Sequence, residues 1–226
     1  MNFFLNKKGI LLVVCIVMLS AINKNLFAQT CVPSGTPSYS WPTHSKWFFG
    51  NGVIGDFSGT TPSFFTSSGT PAITSYEGTA SVADEDGNLL WFTNGRRVWD
   101  STGNLIHENL TTGNEDIRDN GSSVQGVLVT RHPLNPDVYH VFCADDVIST
   151  GDEGLDYFTL DRYGNVLSGP TTIQTGWSYE GLSATLHSNG IDVWVLSQEF
   201  DNGNYNAYLI DCNGLNLAKS NLGQDM

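Results

Sequence analysis

Short apolar stretches separated by tight turns form the clearest pattern in the chain, and they are densest over residues 77–106. An alternating stretch at 79–83 precedes a turn at 85–88, an apolar stretch at 89–93 precedes the pair Asn94-Gly95, and a third stretch centres on Val98 and Trp99. Asp-Gly and Asn-Gly pairs favour hairpins, because these residues tolerate the positive φ of primed turns. This region is therefore predicted to form three antiparallel strands.

The same unit recurs at two later places in the chain. Each unit starts at an anchor, an acidic or amide residue followed by glycine, and carries an aromatic residue fourteen positions later. The anchors and their aromatics are Glu77 with Trp91, Gln125 with Tyr139, and Glu180 with Trp194. The anchors stand 48 and 55 residues apart, close to the repeat of about 40–50 residues in four-stranded propeller blades. The repeated aromatics are expected to pack between blades.

The fold class predicted from this repeat is all-β and β-propeller-like. A propeller is favoured over a solenoid because each unit has three antiparallel strands, and no 3.6-residue apolar stripe or capping box indicates a helix. Residues 170–175 and 61–66 are candidates for outer strands, and residues 46–57 are predicted to form a third strand with its turn. The chain is thus expected to hold about three full antiparallel blades plus the outer strands of a further blade, an incomplete ring.

A propeller ring usually has about four to eight blades, so this count indicates the N-terminal fragment of a longer protein. The alternative is an open or oligomer-closed array of sheets, which is less favoured because open strand edges promote aggregation. Residues 46–226 are assigned to the propeller-like domain, truncated at its C-terminus, and residues 29–45 to an N-terminal linker.

Residues 1–28 have the pattern of a secretory signal peptide. Lys7 and Lys8 precede an apolar stretch at 9–21, which is shorter than the roughly 20 residues that span a bilayer. The small-residue end at Ala28 predicts cleavage before Gln29, and an N-terminal membrane anchor is the alternative. Because no other apolar stretch approaches membrane length, the mature chain is predicted to be extracellular or at the cell surface, without a membrane span.

The net charge of the chain limits the classes of partner that it is expected to bind. The full sequence carries 10 basic and 23 acidic residues. Cleavage would remove Lys7, Lys8 and Lys24, which leaves 7 basic residues against 23 acidic ones, a formal charge of −16. Such a charge opposes binding to nucleic acid or to anionic membranes, so neither is predicted as a partner.

Three cysteines remain after cleavage, at positions 31, 143 and 212. Their spacing matches no zinc pattern, and an odd number permits one disulfide at most. Since Cys143 and Cys212 lie in apolar strand patterns, both are predicted to be buried free thiols.

Two blocks of the sequence carry a family resemblance. The first matches W-x-F-G-x-x-x-G-x-D-F, with one residue inserted or shifted in the glycine spacing, at Trp47, Phe49, Gly50, Gly55, Asp56 and Phe57. The second matches E-G-x-[AS]-S-[IV]-[AS]-D-x-x-G-N-L-L-x-[FY]-T-[DN]-G-x-x-V-[WY] over residues 77–99. These blocks resemble the N-terminal region of surface proteins that Bacteroidetes export through the type IX secretion system.

This resemblance implies an extracellular propeller-like region that stands before other modules and a C-terminal sorting domain. It covers residues 47–215, nearly the whole mature chain, and it specifies a family rather than an activity. Because the sequence stops at Met226 without a sorting domain, contact with the export machinery is implied for a longer parent chain.

Motifs for catalysis or metal binding are not recognised in the sequence. The histidines stand at no metal-ligand spacing and are expected to be structural; they are His44, His107, His132, His140 and His187. The acidic group at 84–86 and the loop at 114–120 are the candidates for calcium. Neither has the ligand spacing of an EF-hand, so a turn and a solvated loop are preferred. No metal or cofactor is predicted, with calcium as the alternative.

Two sets of residues are candidates for binding. Trp177 and Tyr179 lie in a loop before the third anchor, where exposed aromatic rings can stack on sugars or peptides. Glu77, Gln125 and Glu180 begin the three units and are predicted to line a central channel together. The structural alternative is that these three residues bond backbone groups at the blade entrance.

The function predicted from these features is a non-catalytic extracellular module for interaction with proteins or glycans, or for display on a surface protein. The alternative is a glycan-processing hydrolase or lyase with an acidic site on the propeller axis, which needs two carboxylates about 5–10 Å apart. Fold alone does not exclude that enzyme, because propellers can host such chemistry. A central cluster of acids with perturbed pKa values would separate the two hypotheses.

Overall fold

The structure, a computed structural model, describes residues 44–49, 52–66, 78–108, 110, 124–144, 154–200 and 202–223. Within these ranges the chain forms strands and turns and no α-helix, so the all-β prediction is confirmed for this part of the chain. The strands are β1 (Lys46–Phe48), β2 (Val53–Asp56), β3 (Ser63–Thr66), β4 (Ala80–Ala83), β5 (Leu89–Thr93), β6 (Val98–Asp100), β7 (Leu105–His107), β8 (Val127–Arg131), β9 (Val138–Ala144), β10 (Leu155–Asp161), β11 (Val166–Gln174), β12 (Ser183–Leu186), β13 (Val193–Gln198), β14 (Tyr205–Asp211) and β15 (Gly214–Leu222).

These strands form four antiparallel sheets in which each strand pairs with its neighbours in sequence. Sheet 1 consists of β1–β3, sheet 2 of β4–β7, sheet 3 of β8–β11 and sheet 4 of β12–β15. In an antiparallel meander, the first and third turns of a four-stranded sheet lie at one end, which we call the turn end. The second turn and the links between sheets lie at the opposite end, which we call the link end.

The sheets pack face to face in chain order through apolar clusters. Residues of sheets 1 and 2 share one cluster, residues of sheets 2 and 3 a second, and residues of sheets 3 and 4 a third. The first strands lie side by side, since β4 contacts β1 and β8, and β8 also contacts β12. Within the described residues the stack is not closed. We call the face of a sheet that points to the sheet before it in sequence its preceding face, and the other its following face.

Sheet 1 differs from the prediction made for its segment. Residues 46–57 hold two strands, β1 and β2, with a turn between them at which Gly52 has a φ of 75°. Strand β1 lies beside β4, because the hydroxyls of Thr79 and Ser81 donate hydrogen bonds of 2.7 Å to the backbone oxygens of Phe48 and Lys46. The prediction that the chain starts with only the outer strands of a blade is therefore wrong. The candidate outer strands at 61–66 and 170–175 do fall on β3 and β11.

A five-residue turn of sequence D-x-x-G-N recurs at the turn end of sheets 2 and 3. In the turn that starts at Asp100, Oδ1 accepts hydrogen bonds from the backbone N–H groups of Thr102 (2.8 Å) and Asn104 (2.9 Å). Oδ2 accepts a hydrogen bond from Nδ2 of Asn104 (3.1 Å). Gly103 has a φ of 88°, which a residue with a side chain adopts at a cost. The turns that start at Asp84 and Asp161 repeat these bonds.

Hydrogen bonds within these turns engage the carboxylates considered for calcium. Burial, the largest single effect on Asp84, raises its pKa, but the bonds from Asn88 and Asp86 together outweigh it and hold the pKa below its usual value. Glu85 forms an ion pair with Arg131 of sheet 3, which lowers the pKa of that carboxyl. Turn formation and inter-sheet pairing therefore explain the acidic group at 84–86. The calcium candidate at 114–120 lies outside the described residues.

Trp91, Tyr139 and Trp194 all lie in the second strand of their sheets, as the repeat predicts. The rings of Trp91 and Tyr139 meet across the interface between sheets 2 and 3, with centroids 5.5 Å apart. Trp91 therefore lies on the following face of sheet 2 and Tyr139 on the preceding face of sheet 3. Val193 and Val195 pack towards sheet 3, so Trp194 between them lies on the following face of sheet 4. The predicted packing between sheets is confirmed for Trp91 and Tyr139, although Tyr139 lies on the opposite face of its sheet from Trp91 and Trp194.

Turn length explains the different face of Tyr139. The backbone bond that closes the first turn joins Asp84 to Asn88 in sheet 2, His132 to Val138 in sheet 3, and His187 to Asp192 in sheet 4. A fixed spacing of fourteen residues therefore reaches a different point in each strand, and a one-residue difference moves a side chain to the other face. A register shift between β4 and β5 restores the face of Trp91. The position in sheet 3 that matches Trp91 and Trp194 is His140.

The cysteine prediction is correct for one residue and wrong for the other. Cys143 is a buried thiol whose Sγ lies under Gly95 of sheet 2. Cys212, in the turn between β14 and β15, is disulfide-bonded, and its partner lies outside the described residues. The apolar neighbours of Cys212 in sequence indicated burial but carried no information on which cysteine lies nearby.

His140 is buried between sheets 3 and 4 and is 2% exposed. Its Nδ1 lies 2.7 Å from the hydroxyl of Tyr157, and its ring stacks on His132 with centroids 5.4 Å apart. Burial, with a smaller contribution from the charge of His132, lowers the pKa of His140 to about 3. Burial also lowers the pKa of His132. The fold therefore holds this histidine neutral.

Acidification is expected to destabilise the protein through His140. Because its folded-state pKa of about 3 lies below the usual 6.5, the unfolded chain binds the proton first. The contribution of the neutral His140 to the free energy of unfolding is therefore fully present above pH 6.5 and is lost as the pH falls towards 3. By about pH 5 the free energy of unfolding in urea is expected to fall by about 2 kcal/mol.

The variant His140→Gln is expected to remove most of this pH dependence above about pH 4.5. The matched variant His44→Gln changes an exposed histidine and is expected to keep it. Asp56, whose pKa the hydrogen bond from Lys46 lowers to about 2, contributes only at lower pH. An undiminished pH dependence in His140→Gln would contradict the assignment.

Candidate functional site

Aromatic side chains gather at the link end of sheet 4, on the loop between β11 and β12 and the turn between β13 and β14. Phe200 lies with its ring centroid 5.5 Å from that of Trp177 and 4.9 Å from that of Tyr179. We call these three residues the aromatic cluster. Both segments reach the same end of the sheet because the strands that lead to them are antiparallel.

Backbone pairing fixes the aromatic cluster in place. The N–H of Tyr179 donates to the backbone oxygen of Gln198 (2.8 Å), and the N–H of Phe200 donates to that of Trp177 (2.9 Å). Residues 177–179 thus run as a short strand beside the β13–β14 turn. Side chains alternate along such a strand, so Trp177 and Tyr179 share one face while Ser178 between them is buried.

Exposure of the aromatic cluster agrees with the sequence prediction for Tyr179, which is 41% exposed. Trp177 and Phe200 are half-buried. Phe200 was not among the predicted site residues. Its signal in the sequence is its place in a hairpin turn that pairs with 177–179, and that pairing depends on the order of strands in space.

A buried polar network lies beneath the aromatic cluster. Oε1 of Gln174 accepts hydrogen bonds from Oγ of Ser197 (2.6 Å) and Nδ2 of Asn206 (2.9 Å), and all three residues are buried. Nδ2 of Asn206 also donates to Oε1 of Glu199 (3.0 Å), and Nδ2 of Asn202 donates to Oε2 of Glu199 (2.7 Å). Hydrogen bonds therefore hold both carboxylate oxygens of Glu199, which pairs with the buried Ser178 and so lies on the face opposite to the aromatic rings.

Two of the three unit anchors lie close together at the link end. Oε2 of Glu180 accepts the backbone N–H of Val124 (2.9 Å), and the N–H of Leu182 donates to the backbone oxygen of Gln125 (3.2 Å). Gln125 has a φ of 56°. Glu180 thus makes the backbone bond at a sheet entrance that was the structural alternative. Glu77 lies outside the described residues, and a shared channel of the three anchors stays a prediction.

An open groove of about 270 Å³ lies against the first strands of sheets 3 and 4. Its lining consists of His44, Val129, Thr130, Ala184, Thr185, Leu186 and Val193. The described part of this lining is mainly apolar and contains no carboxylate.

The described part of the chain shows neither a metal centre nor a membrane helix. No three His, Cys, Asp or Glu side chains in it converge to hold an ion. No helix in it is long and apolar enough to cross a bilayer. Comparison of the chain with protein-family models, with curated proteins and with solved structures found no match.

Proposed function

We propose that this chain is a propeller-like, non-catalytic extracellular module that binds carbohydrate through the aromatic cluster. The observation that carries the proposal is the partly exposed group of Trp177, Tyr179 and Phe200, whose rings contact each other on a paired backbone. Rings present flat apolar surfaces to sugar faces, and nearby amides and carboxylates bond hydroxyl groups.

Several features of the stack support the propeller arrangement. Each of sheets 2–4 is a four-stranded meander, the sheets pack in chain order, and their first strands lie side by side. In propellers, such first strands surround the central axis and the sheets radiate from it. The recurring turns at one end and the sheet links at the other give the module two distinct surfaces, of which the link end carries the aromatic cluster.

Export to an oxidising compartment is supported by Cys212. Disulfides persist in secreted and extracellular proteins and are rare in the cytosol, and Cys212 is disulfide-bonded. This observation agrees with the signal-peptide pattern at residues 1–28 and with the resemblance to surface proteins exported by Bacteroidetes. Export by the route that those surface proteins use is part of the proposal.

All the carboxyl groups with shifted pKa values in the described residues are shifted downwards. Hydrogen bonds or an ion pair lower the pKa of Asp56, Asp84, Glu85 and Asp100. A general acid in glycoside hydrolysis needs a raised pKa, and none of the shifted carboxyl groups in the described residues has one.

A glycan array followed by titration calorimetry tests the binding role. Trp177→Ala is expected to weaken the binding of the glycan found on the array by about tenfold or more, because truncating an aromatic anchor commonly costs at least about 1.4 kcal/mol. Tyr179→Ala is expected to act in the same direction.

The matched control is Tyr163→Ala. Tyr163 is 72% exposed on the turn end of sheet 3, the opposite end of β11, and its removal is expected to leave affinity unchanged. Equal affinity in Trp177→Ala and the wild type would reject the site. Absence of any bound glycan would reject carbohydrate as the ligand, and release of sugar products from the bound glycan would identify an enzyme instead.

A further inference from the structure

The last sheet of the stack has an uncovered apolar face. Trp194 and Leu196 alternate with the inward-facing valines of β13, and they lie opposite Leu209 and Ala207 of β14 on the same face. Leu196 is 37% exposed, and Trp194 and Leu209 are half-buried. We call this surface the sheet 4 following face. No described residue packs over it as sheet 3 packs over sheet 2.

The repeat shows that this face matches two faces that are covered. Trp91 on the following face of sheet 2 is fully buried under sheet 3, and His140 on the following face of sheet 3 is 2% exposed under sheet 4. Trp194 occupies the same position in sheet 4 and keeps part of its surface open. In this stack, a residue at that position is covered by the preceding face of another sheet.

The first sheet has a preceding face that no other described sheet covers. Phe48 and Ile54 pack towards sheet 2, so the alternate residues of sheet 1 point the other way. Those residues form an aromatic plate, with ring centroids 5.2–6.4 Å apart, of Trp47, Phe49, Phe57 and Phe64. Trp47, Phe49 and Phe64 are 53%, 50% and 61% exposed.

Backbone geometry shapes this aromatic plate. Gly55 lies opposite both Trp47 and Phe64 in the sheet. A Cβ at Gly55 would come within 2.8 Å of the rings of Phe49 and Phe57. The rings therefore lie low over the glycine and form a broad apolar surface, larger than the isolated apolar side chains that are normal on a protein surface.

We infer that the aromatic plate of one copy of this chain packs on the sheet 4 following face of a second copy. The contact joins a preceding face to a following face, which is the pairing at every described sheet interface. Used twice about a two-fold axis, it joins four sheets from each copy into a ring of eight. Eight sheets lie within the range of about four to eight that propeller rings contain. Closure of the ring also stops the head-to-tail contact from adding further copies without limit.

Light scattering on the purified chain tests this assembly, at about 0.15 M salt to screen the like charge of the two copies. The wild type is expected to have twice the mass of one chain. Phe64→Asp places a charge in the aromatic plate, and Leu196→Asp places one in the sheet 4 following face. Each variant alone is therefore expected to be a monomer. An equimolar mixture of the two is expected to recover dimer, because the unaltered sheet 4 of one variant meets the unaltered sheet 1 of the other.

Tyr163→Asp, at an exposed turn away from both faces, is the control and is expected to remain a dimer. Circular dichroism reports folding of each variant, and a second pair, Phe64→Ser with Leu196→Ser, gives the same reading if an aspartate variant does not fold. A monomeric wild type would overturn the inference. So would a variant that still dimerises alone, which would place only one of the two faces in the contact, or a mixture that stays monomeric.

Discussion

Replacing Trp91 by alanine is expected to lower the free energy of unfolding by about 3–5 kcal/mol, the usual cost of truncating a fully buried tryptophan. Trp91 has no exposed surface, packs edge-on against Tyr139 of sheet 3, and donates from Nε1 to the backbone oxygen of Asp161 at 3.2 Å. The substitution removes contacts on both sides of the interface between sheets 2 and 3. Urea unfolding followed by tryptophan-independent circular dichroism measures the loss.

Trp194→Ala is the matched variant for this experiment. Trp194 stands at the corresponding position of sheet 4 but is half-buried, with His187 of its own sheet as a ring neighbour. At dilutions where the chain is monomeric, its removal is expected to cost about 1 kcal/mol. Equal losses from the two substitutions would show that sheet 3 does not cover Trp91 as described.

Gly164→Ala is expected to destabilise the protein by about 3 kcal/mol for two separate reasons. Gly164 has a φ of 81°, in the left-handed region that side chains disfavour. Its Cβ would also lie 2.8 Å from Cδ1 of Ile106 and 3.2 Å from Cγ1 of Val98, both in sheet 2. The third turn of sheet 3 therefore sits directly on its neighbour.

Gly190→Ala distinguishes the cost of backbone strain from the cost of the steric clash. Gly190 has a φ of 72°, yet a Cβ there would meet nothing within 4 Å. Its replacement is expected to cost only the backbone strain, about 1 kcal/mol. The difference between the two variants, measured in the same urea titration, reports the close packing of sheets 2 and 3. Identical losses would argue against that packing.

Local rules in the sequence were enough to predict the turns and most of the strands of the repeated units. The D-x-x-G-N turns at Asp84 and Asp100 follow from residues that bond each other within five positions, so distant parts of the chain do not alter them. The same holds for the second and third strands of each unit, whose apolar pattern and glycine turns mark their bounds. These features recur at each unit, which is why the repeat was visible without coordinates.

Only part of the candidate site could be predicted from the sequence. Trp177 and Tyr179 were identified because two aromatics in a polar loop indicate a surface contact. Phe200 was missed, since it joins the site through backbone pairing between the loop at 177–179 and a hairpin turn later in the chain. Cys212 was misjudged for a related reason: a disulfide depends on the distance between two cysteines in space, which apolar neighbours do not encode.

The sequence by itself determined the all-β class, the repeated meander and the turns, because each depends on interactions between residues that are close along the chain. The tertiary structure alone decided which face each aromatic occupies. Tyr139 stands at the predicted spacing, yet a longer first turn in sheet 3 places it on the preceding face, while His140 takes the position that tryptophans fill in sheets 2 and 4. Side chains alternate with every residue of a strand, so one residue of turn length or one bulge reverses the face, and only the packed sheets show which result occurs.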